Sequence, residues 1–351
     1  MLLSSSQRRH FDQTVSTVPR ESILRFLQLQ VNPRVRLPSS PAISFDILTN
    51  STPNTKSNSF ASSLYNSSVY VYDISTGTGE SITFEHITLN PRLHLSGVRK
   101  NPVSGLLSII VDAGAAFVTG GADTSGDNFL IQYDLKTKTE VSRTNLTETT
   151  QGRYGGFQDV EFDSAGNIYV VGTYPSSILK VDPSGSKVEV WYLAEPVKST
   201  VAGIGGLAVV GNTLLGNDIA SGNVVRFDLT SSTGTPIVVP HSPAGVITKQ
   251  GDGITLPEKF HGTVLLIAQN GLGFAVLRSN DTWQTAEFLG TIPHPASVPD
   301  GALTASVQIE GSVYANVEFF GDAPGAPPIY AGNRTVFPLI DITESLEALL
   351  L

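Results

Sequence analysis

The sequence predicts an all-β chain, a six-bladed β-propeller with a short N-terminal extension, and three observations carry that expectation. First, a hairpin signal recurs, with turn glycines Gly105, Gly166, Gly211, Gly262 and Gly311 spaced 61, 45, 51 and 49 residues apart. Second, the segments after these turns align as strands: LLSIIVD, NIYVVGT, NTLLGND, TVLLIAQ and SVYANVE. They are rich in β-branched and aromatic residues and are bounded by turn formers. Third, the 351 residues include 33 Gly and 21 Pro but only 15% charged side chains, a turn-rich composition poor in helix formers. Four short strands in each repeat of roughly 45–50 residues are the mark of a propeller blade.

Taken in chain order, residues 1–41 form the extension. The opening MLLSSSQRRH lacks the apolar stretch of a signal peptide, and no run of about 20 apolar residues follows, so no membrane span is expected. Ser22–Gln30 (SILRFLQLQ) is expected as a short amphipathic helix with Ile23, Phe26 and Leu27 on one face. Residues 35–43 are expected to close the ring by pairing with the last blade, which removes two exposed sheet edges.

The propeller spans 42–342. Its first unit is irregular and Ser/Asn-rich over 50–68. Third strands end in Asp at SVYVYD (Asp73), FLIQYD (Asp134), SILKVD (Asp182) and NVVRFD (Asp228); the fifth, GFAVLRSND, departs from the pattern. Fourth strands follow as ITFEHI, VSRTNL, VEVWYL, PIVVPH, TAEFLG and VFPLID. A Gly/Asp/Thr-rich insertion occupies 120–127, and the last unit lacks a clear third strand around Pro327 and Pro328. The tail, 343–351, is expected as one helical turn or a last strand.

Several chemistries are excluded. With no cysteine there is no disulfide, thiolate metal site or cysteine nucleophile. A net charge of −9 without a basic tract argues against nucleic acid as a partner. G-x-S-x-G, H-E-x-x-H and the Walker pattern are absent. GIGGLA at 203–208 matches G-x-G-x-x-A, but VVGNTLLGND follows it where dinucleotide binding needs a helix. The histidines at 10, 86, 94, 241, 261 and 294 show no metal-ligand spacing. Sequons at Asn50, Asn66, Asn145, Asn280 and Asn333 leave the secretory pathway open, and localisation is otherwise unassigned.

In a propeller, the start of each inner strand and the end of the next strand share a rim. The inner strands start LSGV, FQDV, IGGL, GDGI and PDGA; the second strands end, seven residues after each turn glycine, at Asp112, Thr173, Asp218, Gln269 and Glu318. The rim is therefore expected to gather Ser96, Gln158, Asp159, Asp252, Asp300, Asp112, Thr173, Tyr174, Asn217, Asp218, Gln269, Asn270, Asn316 and Glu318. His94 is expected in the channel and His261 on the opposite rim. Asp252 and Asp300 occupy the same repeat position, 48 residues apart, each followed by Gly. Facing carboxylates of that kind can hold a hard cation with Asn217 or Asn270, exchange a proton, or simply shape turns.

NIYVVGTYPSSILKVD and NTLLGNDIASGNVVRFD resemble the gluconolactonase, senescence-marker and strictosidine-synthase class of six-bladed propellers. That resemblance implies a calcium ion held by Glu, Asn and Asp on inner strand ends, with Asp252 or Asp300 as the Asp. Gly205-Gly206 stands where the class has Asn-Gly, and no matching Glu is evident in the first blade. The segment RYGGFQDVEFDSAGNIYVVGTYPSSIL, with the opening FDILTN, is similar to fungal propeller proteins of terpenoid biosynthetic clusters. These include the trichothecene-cluster propeller protein and the hetero-Diels–Alderases of tropolone–sesquiterpenoid pathways. The resemblance implies a cofactor-free cyclase joining a tropolone o-quinone methide to a humulene-type alkene, with terpenoid or polyketide small molecules as its partners. The alternatives are a calcium-dependent lactonase and a terpenoid ring-closing enzyme of trichothecene type. In the cyclase reading, Gln158, Tyr174, Asn217 and Asn270 donate to the developing oxyanion and Asp252 or Asp300 moves a proton. Tyr154, Phe157 and Phe319 supply apolar walls, and Ser96, Thr173, Asp218, Gln269, Asn316 and Glu318 bind substrate.

Overall fold

A computed structural model describes residues 43–45, 58–73, 78–322, 332, 334 and 337–351. Six antiparallel sheets follow one another along the chain. The first holds β1 (Ile43–Phe45), β2 (Asn58–Ser63), β3 (Ser68–Asp73) and β4 (Thr78–Ile82). The second holds β5 (Leu93–Lys100), β6 (Leu107–Ala113), β7 (Phe129–Asp134) and β8 (Thr139–Asn145). The third runs through β9 (Gly155–Phe162), β10 (Ile168–Tyr174), β11 (Ser177–Val181) and β12 (Val188–Leu193). The fourth comprises β13 (Ile204–Val210), β14 (Thr213–Asp218), β15 (Asn223–Asp228) and β16 (Ile237–Val238). In the fifth, β17 (His241–Ser242) adds in parallel outside β18 (Gly251–Thr255), β19 (Val264–Gln269), β20 (Gly273–Arg278) and β21 (Ala286–Pro293). The sixth comprises β22 (Ala302–Ile309), β23 (Ser312–Glu318) and β24 (Ile340–Asp341). The chain is a six-bladed β-propeller.

The core lies between blades. Tyr169, Val171 and Ile178 of the third blade interleave with Ile204, Leu207, Leu214 and Phe227 of the fourth. Equivalent clusters join the first blade to the second, the second to the third, and the fourth to the fifth. The cluster between the fifth and sixth blades also takes in Ala61 of the first, so the apolar ring is continuous. Alternation along each strand gives both faces of a blade to its neighbours, and this burial orients every inner strand toward the axis.

The expected turn glycines sit in the turns joining each inner strand to its neighbour. Gly105, Gly166, Gly211 and Gly262 have positive φ, from 57° to 84°. In the last hairpin Glu310 takes the left-handed conformation instead of Gly311. Three strand expectations are corrected. The first blade's outer strand is β4, ending at Ile82, and the rest of ITFEHI turns away. VFPLID supplies the third strand of the last blade, β24, so the missing third strand is the expected fourth. PIVVPH contributes only Ile237 and Val238 to its own blade, and its last residue, His241, joins the fifth sheet.

The expected N-terminal helix and residues 35–42 lie outside the described residues. Ile43–Phe45 pairs with β2 as the inner strand of the first blade and lies beside β22 and β23 of the last; of the segment expected to close the ring, only Ile43 is described. The tail forms an eight-residue helix, Thr343–Leu350, which buries Leu346 against β21 and β23. No helix among the described residues is long and apolar enough to cross a membrane. The sequon asparagine Asn66 is buried at 2% exposure, and Asn145 caps a short helix at Leu146–Thr150, whereas Asn280 is exposed.

Candidate functional site

Five inner strands carry a β-bulge at the same depth: between Leu95 and Val98, between Phe157 and Asp159, between Ile204 and Leu207, between Gly251 and Ile254, and between Leu303 and Ala305. A bulge adds a residue to one strand and re-aims its side chain. The residues it presents are Ser96, Gln158, Gly205, Asp252 and Thr304, and all five line one cavity of ≈ 470 Å³ at the channel mouth. Its apolar wall includes Leu64, Tyr65, Phe117, Ile219 and Phe320. Phe117 belongs to a short helix, Ala115–Val118, that follows β6 and leans edge-on against Tyr174 at 5.5 Å between ring centroids.

Of the expected site residues, Ser96, Gln158, Asp159, Thr173, Tyr174, Asp252, Asn270 and Glu318 line the cavity, as does His94. The others do not. Asp300 is corrected: the last inner strand starts four residues later than the PDGA alignment implied, so Thr304 takes the position matching Asp252. Asp300 lies on the preceding loop, 70% exposed and 3.6 Å from Arg334. Tyr154 is buried outside the cavity, with its hydroxyl donating to Ala194 O at 2.9 Å. Phe157 is interior to the core between blades two and three. Phe319 lies under the Arg334 guanidinium, 3.6 Å from its ring centroid, and its neighbour Phe320 faces the cavity instead. Asp218 accepts from Ser221 at 2.7 Å, and Gln269 accepts from the Lys249 N–H at 2.9 Å. Asn217 and Asn316 are fully buried behind the wall.

The amides do structural work between blades. Gln158 donates to Thr173 Oγ1 at 2.9 Å and to Gly205 O of the next blade. Asn217 accepts from the Gly206 N–H at 2.7 Å and donates to Asp252 O of the next blade at 2.8 Å. Asn270, in the amide orientation that satisfies both its ends, donates to Leu303 O at 3.1 Å and to Asp252 Oδ2 at 3.0 Å. Three ties thus latch four successive blades, the third to the sixth, at the bulge layer. Asp159 adds a fourth tie by accepting from the Leu207 N–H at 2.7 Å.

Carboxyl groups dominate the electrostatics. Burial pushes the Glu318 carboxyl up to about 8, and the charge of nearby Asp252 adds to the rise. Among the described residues Glu318 Oε1 has no hydrogen-bond partner. Burial raises Asp252 to about 7, against the lowering effect of the Gly253 N–H. Asp252 keeps some exposed surface because its carboxylate faces the cavity, yet the surrounding protein still desolvates it. Across the axis, Asp112 is sealed from solvent and raised to about 7 by burial; Ser96 Oγ donates to its Oδ2. Burial lowers His94 to about 4. Tyr65 is pushed to about 12, first by burial and then by Glu318 and Asp112. At the cavity floor Arg99 is ion-paired with Glu161.

The donor set does not fit a calcium ion. Asn217 commits its oxygen to Gly206, and Asn270 turns its amide nitrogen to the one carboxylate of the bulge layer. Hard cations need converging oxygens. Among the described residues no three His, Cys, Asp or Glu side chains are grouped closely enough to hold a metal ion. The residues that sequence reasoning missed are Tyr65, Phe117, Ile219 and Phe320. They stand outside the strands, on turns and short helical segments at the mouth, where no strand periodicity marks them.

No protein-family profile matches the chain. Among solved structures, it is similar to the major Malassezia sympodialis allergen Mala s 1, with a TM-score of 0.67 at 18% identity, covering 86% of this chain and 96% of that one. It is similar to a gluconolactonase of Xanthomonas campestris, with a TM-score of 0.51 at 13% identity, covering 86% and 87%. At such identities these likenesses show the fold alone. Two curated relatives are closer in sequence. One is trichothecene biosynthesis protein 14 of Trichoderma arundinaceum, 37% identical over 309 residues and covering 83% of each chain. The other is core trichothecene cluster protein 14 of Fusarium sporotrichioides, 31% identical over 311 residues and covering 83% of this chain and 80% of that one. The chain therefore belongs to the family of the trichothecene-cluster proteins 14.

Proposed function

We propose that this propeller is a cofactor-free ring-closing enzyme acting on a neutral, oxygenated terpenoid, with Glu318 as general acid and Asp252 as its paired base. The observation that carries the reading is the pair of carboxyl groups, Asp252 and Glu318, that line one largely apolar cavity, the charge of Asp252 adding to the proton affinity that burial gives Glu318. Two carboxyl groups that cannot both ionise hold one proton between them near neutral pH, which suits one to donate while the other accepts. Glu318, with an unpartnered oxygen, is the proton holder. Asp252, which accepts from Asn270, is the ionised member.

In the reaction, Glu318 protonates a substrate hydroxyl, whose C–O bond breaks to release water. A second substrate oxygen attacks the electron-poor carbon and forms a new C–O bond. Asp252 takes the proton that the attacking oxygen loses, and its return to Glu318 restores the pair. No oxidant or reductant enters this balance. The apolar walls hold the chain folded on itself, so the closure is intramolecular and water is kept from competing.

The relatives' names, one referring to trichothecene biosynthesis and the other to the core trichothecene cluster, support a trichothecene-type terpenoid as the product. The hetero-Diels–Alder form of the reading uses the same acid to expel water and make a quinone methide, but also needs amide donors aimed into the cavity. Gln158, Asn217 and Asn270 direct theirs to backbone carbonyls and to Asp252, which favours ring closure. The test is incubation with hydroxylated sesquiterpenoid precursors of the trichothecene skeleton, following loss of 18 mass units by mass spectrometry. Wild type is expected to convert at least one precursor, and Glu318→Gln to lose that conversion while keeping its fold. Equal conversion by both proteins refutes the assignment.

A further inference from the structure

The cavity has a second polar pole that the acid pair leaves unused. The second and fifth blades face one another across a six-bladed ring, so Ser96 and Asp252 are equivalent bulge residues on opposite walls. Beside Ser96 stands His94, 4% exposed and lining the cavity. Its ring is held in a slot. Tyr65 meets it edge-on at 5.1 Å between centroids, and a Cβ added to Gly114 would lie 2.3–2.7 Å from three of its ring atoms. Among the described residues nothing hydrogen-bonds either ring nitrogen, and the nearest carboxylate oxygen, Asp112 Oδ1, is 4.0 Å away. That oxygen is itself buried without a hydrogen-bond partner. Buried polar groups are normally satisfied, so an imidazole fixed in place and left unpaired at a cavity wall points to a ligand.

We propose that His94, with Asp112 and Ser96 behind it, is a subsite that binds a neutral hydroxyl group across the channel from Asp252. A neutral imidazole offers one donor and one acceptor, which an alcohol matches. Among the described residues an anion finds no free cation here, because Arg99, the one Lys or Arg of those lining the cavity, is paired with Glu161. Anionic carboxylates and phosphates are thereby disfavoured. The ligand therefore carries two oxygen functions on opposite sides of an apolar skeleton, one at each pole. The inference rests on the ring-closing reading only in taking the ligand to be a neutral terpenoid.

The probe is α-terpineol, a neutral C10 alcohol, compared with its methyl ether. Binding is followed through the 15N signals of the histidine rings, with His94→Phe assigning the His94 pair. Terpineol is expected to shift the His94 nitrogens saturably and the ether to leave them near their free positions. His94→Phe is expected to weaken terpineol binding roughly five- to tenfold without changing ether binding, as suits one lost hydrogen bond. Gly114→Ala is a second probe, because φ −56° and ψ −16° tolerate alanine while its methyl displaces the ring. It is expected to abolish the His94 response. Unmoved His94 signals, equal terpineol affinity in His94→Phe, or no terpineol binding up to its solubility would each overturn the proposal. The readout needs no turnover, so it fails or succeeds separately from the Glu318→Gln conversion assay.

Discussion

Asp112→Asn isolates the cost of a sealed carboxyl. Asp112 is fully buried, and burial lifts it from 3.8 to about 7. Its folded-state proton affinity exceeds that of the unfolded chain. The stabilising effect is therefore fully present below about pH 4 and is lost as pH rises through about 7. At 1.36 kcal/mol for each tenfold change in proton affinity, the loss across that window is about 4 kcal/mol. Asparagine has the same shape and does not ionise, so the variant lacks this pH dependence. Its amide oxygen still accepts from Ser96 Oγ, but its NH2 is buried where no acceptor is in place among the described residues, a cost of about 1 kcal/mol that is present at every pH. The variant is expected to be slightly less stable than wild type at pH 4.5 and clearly more stable at pH 7.5. Urea unfolding at the two pH values, analysed with a common m-value, measures the difference directly. A stability difference that stays constant between the two pH values refutes the reasoning, since it means Asp112 titrates alike in the folded and unfolded chains.

Further outcomes follow from the same geometry. Glu318→Gln is expected to slow ring closure about 10²–10⁴-fold with little change in substrate affinity, read as a fall in kcat at constant KM. Asn217→Ala strands the Gly206 N–H and the Asp252 carbonyl, so it is expected to destabilise the chain by about 2–4 kcal/mol in urea unfolding. Phe117→Ala opens the mouth beside Tyr174 and is expected to raise KM several-fold while changing kcat less.

The architecture was legible because strand hairpins write themselves locally. Turn glycines, four of the five with positive φ, and β-branched runs need only near neighbours, and they located the inner hairpins of five blades. The rim was legible for the same reason, since a hairpin returns the end of one strand to the start of the other. Register in the last blade was not. Asp300-Gly301 imitates Asp252-Gly253 in sequence, but the register of β22 against β23 puts Thr304 at the bulge. Nothing in the sequence near Asp300 records that four-residue difference. The roles of the amides were also hidden. Gln158, Asn217 and Asn270 look like substrate donors until the next blade is present, and then their partners are backbone carbonyls distant in sequence. The cavity's aromatic wall comes from loops whose conformation depends on packing between blades.

These inter-blade ties bear on how such a fold acquires chemistry. The bulge presents one side chain per blade at a fixed depth, while the residues behind it carry the ring. Ser96, Gln158, Gly205, Asp252 and Thr304 thus sit at equivalent points with different local demands. Gly205 cannot be enlarged freely, because a Cβ there would lie 2.9 Å from Ile219 and 3.3 Å from Asn217 Nδ2. Gln158 is tied to that same glycine's carbonyl. Ser96 and Asp252 have more freedom: their side chains bond Asp112 and Asn270 rather than the backbone of a neighbouring blade. Thr304 likewise bonds Asn316 of its own blade, so chemical identity can change there, and at Ser96 and Asp252, at less cost to ring closure than at Gln158 or Gly205. It is at Ser96 and Asp252, on opposite walls, that the cavity keeps its hydroxyl-binding pole and its acid pair.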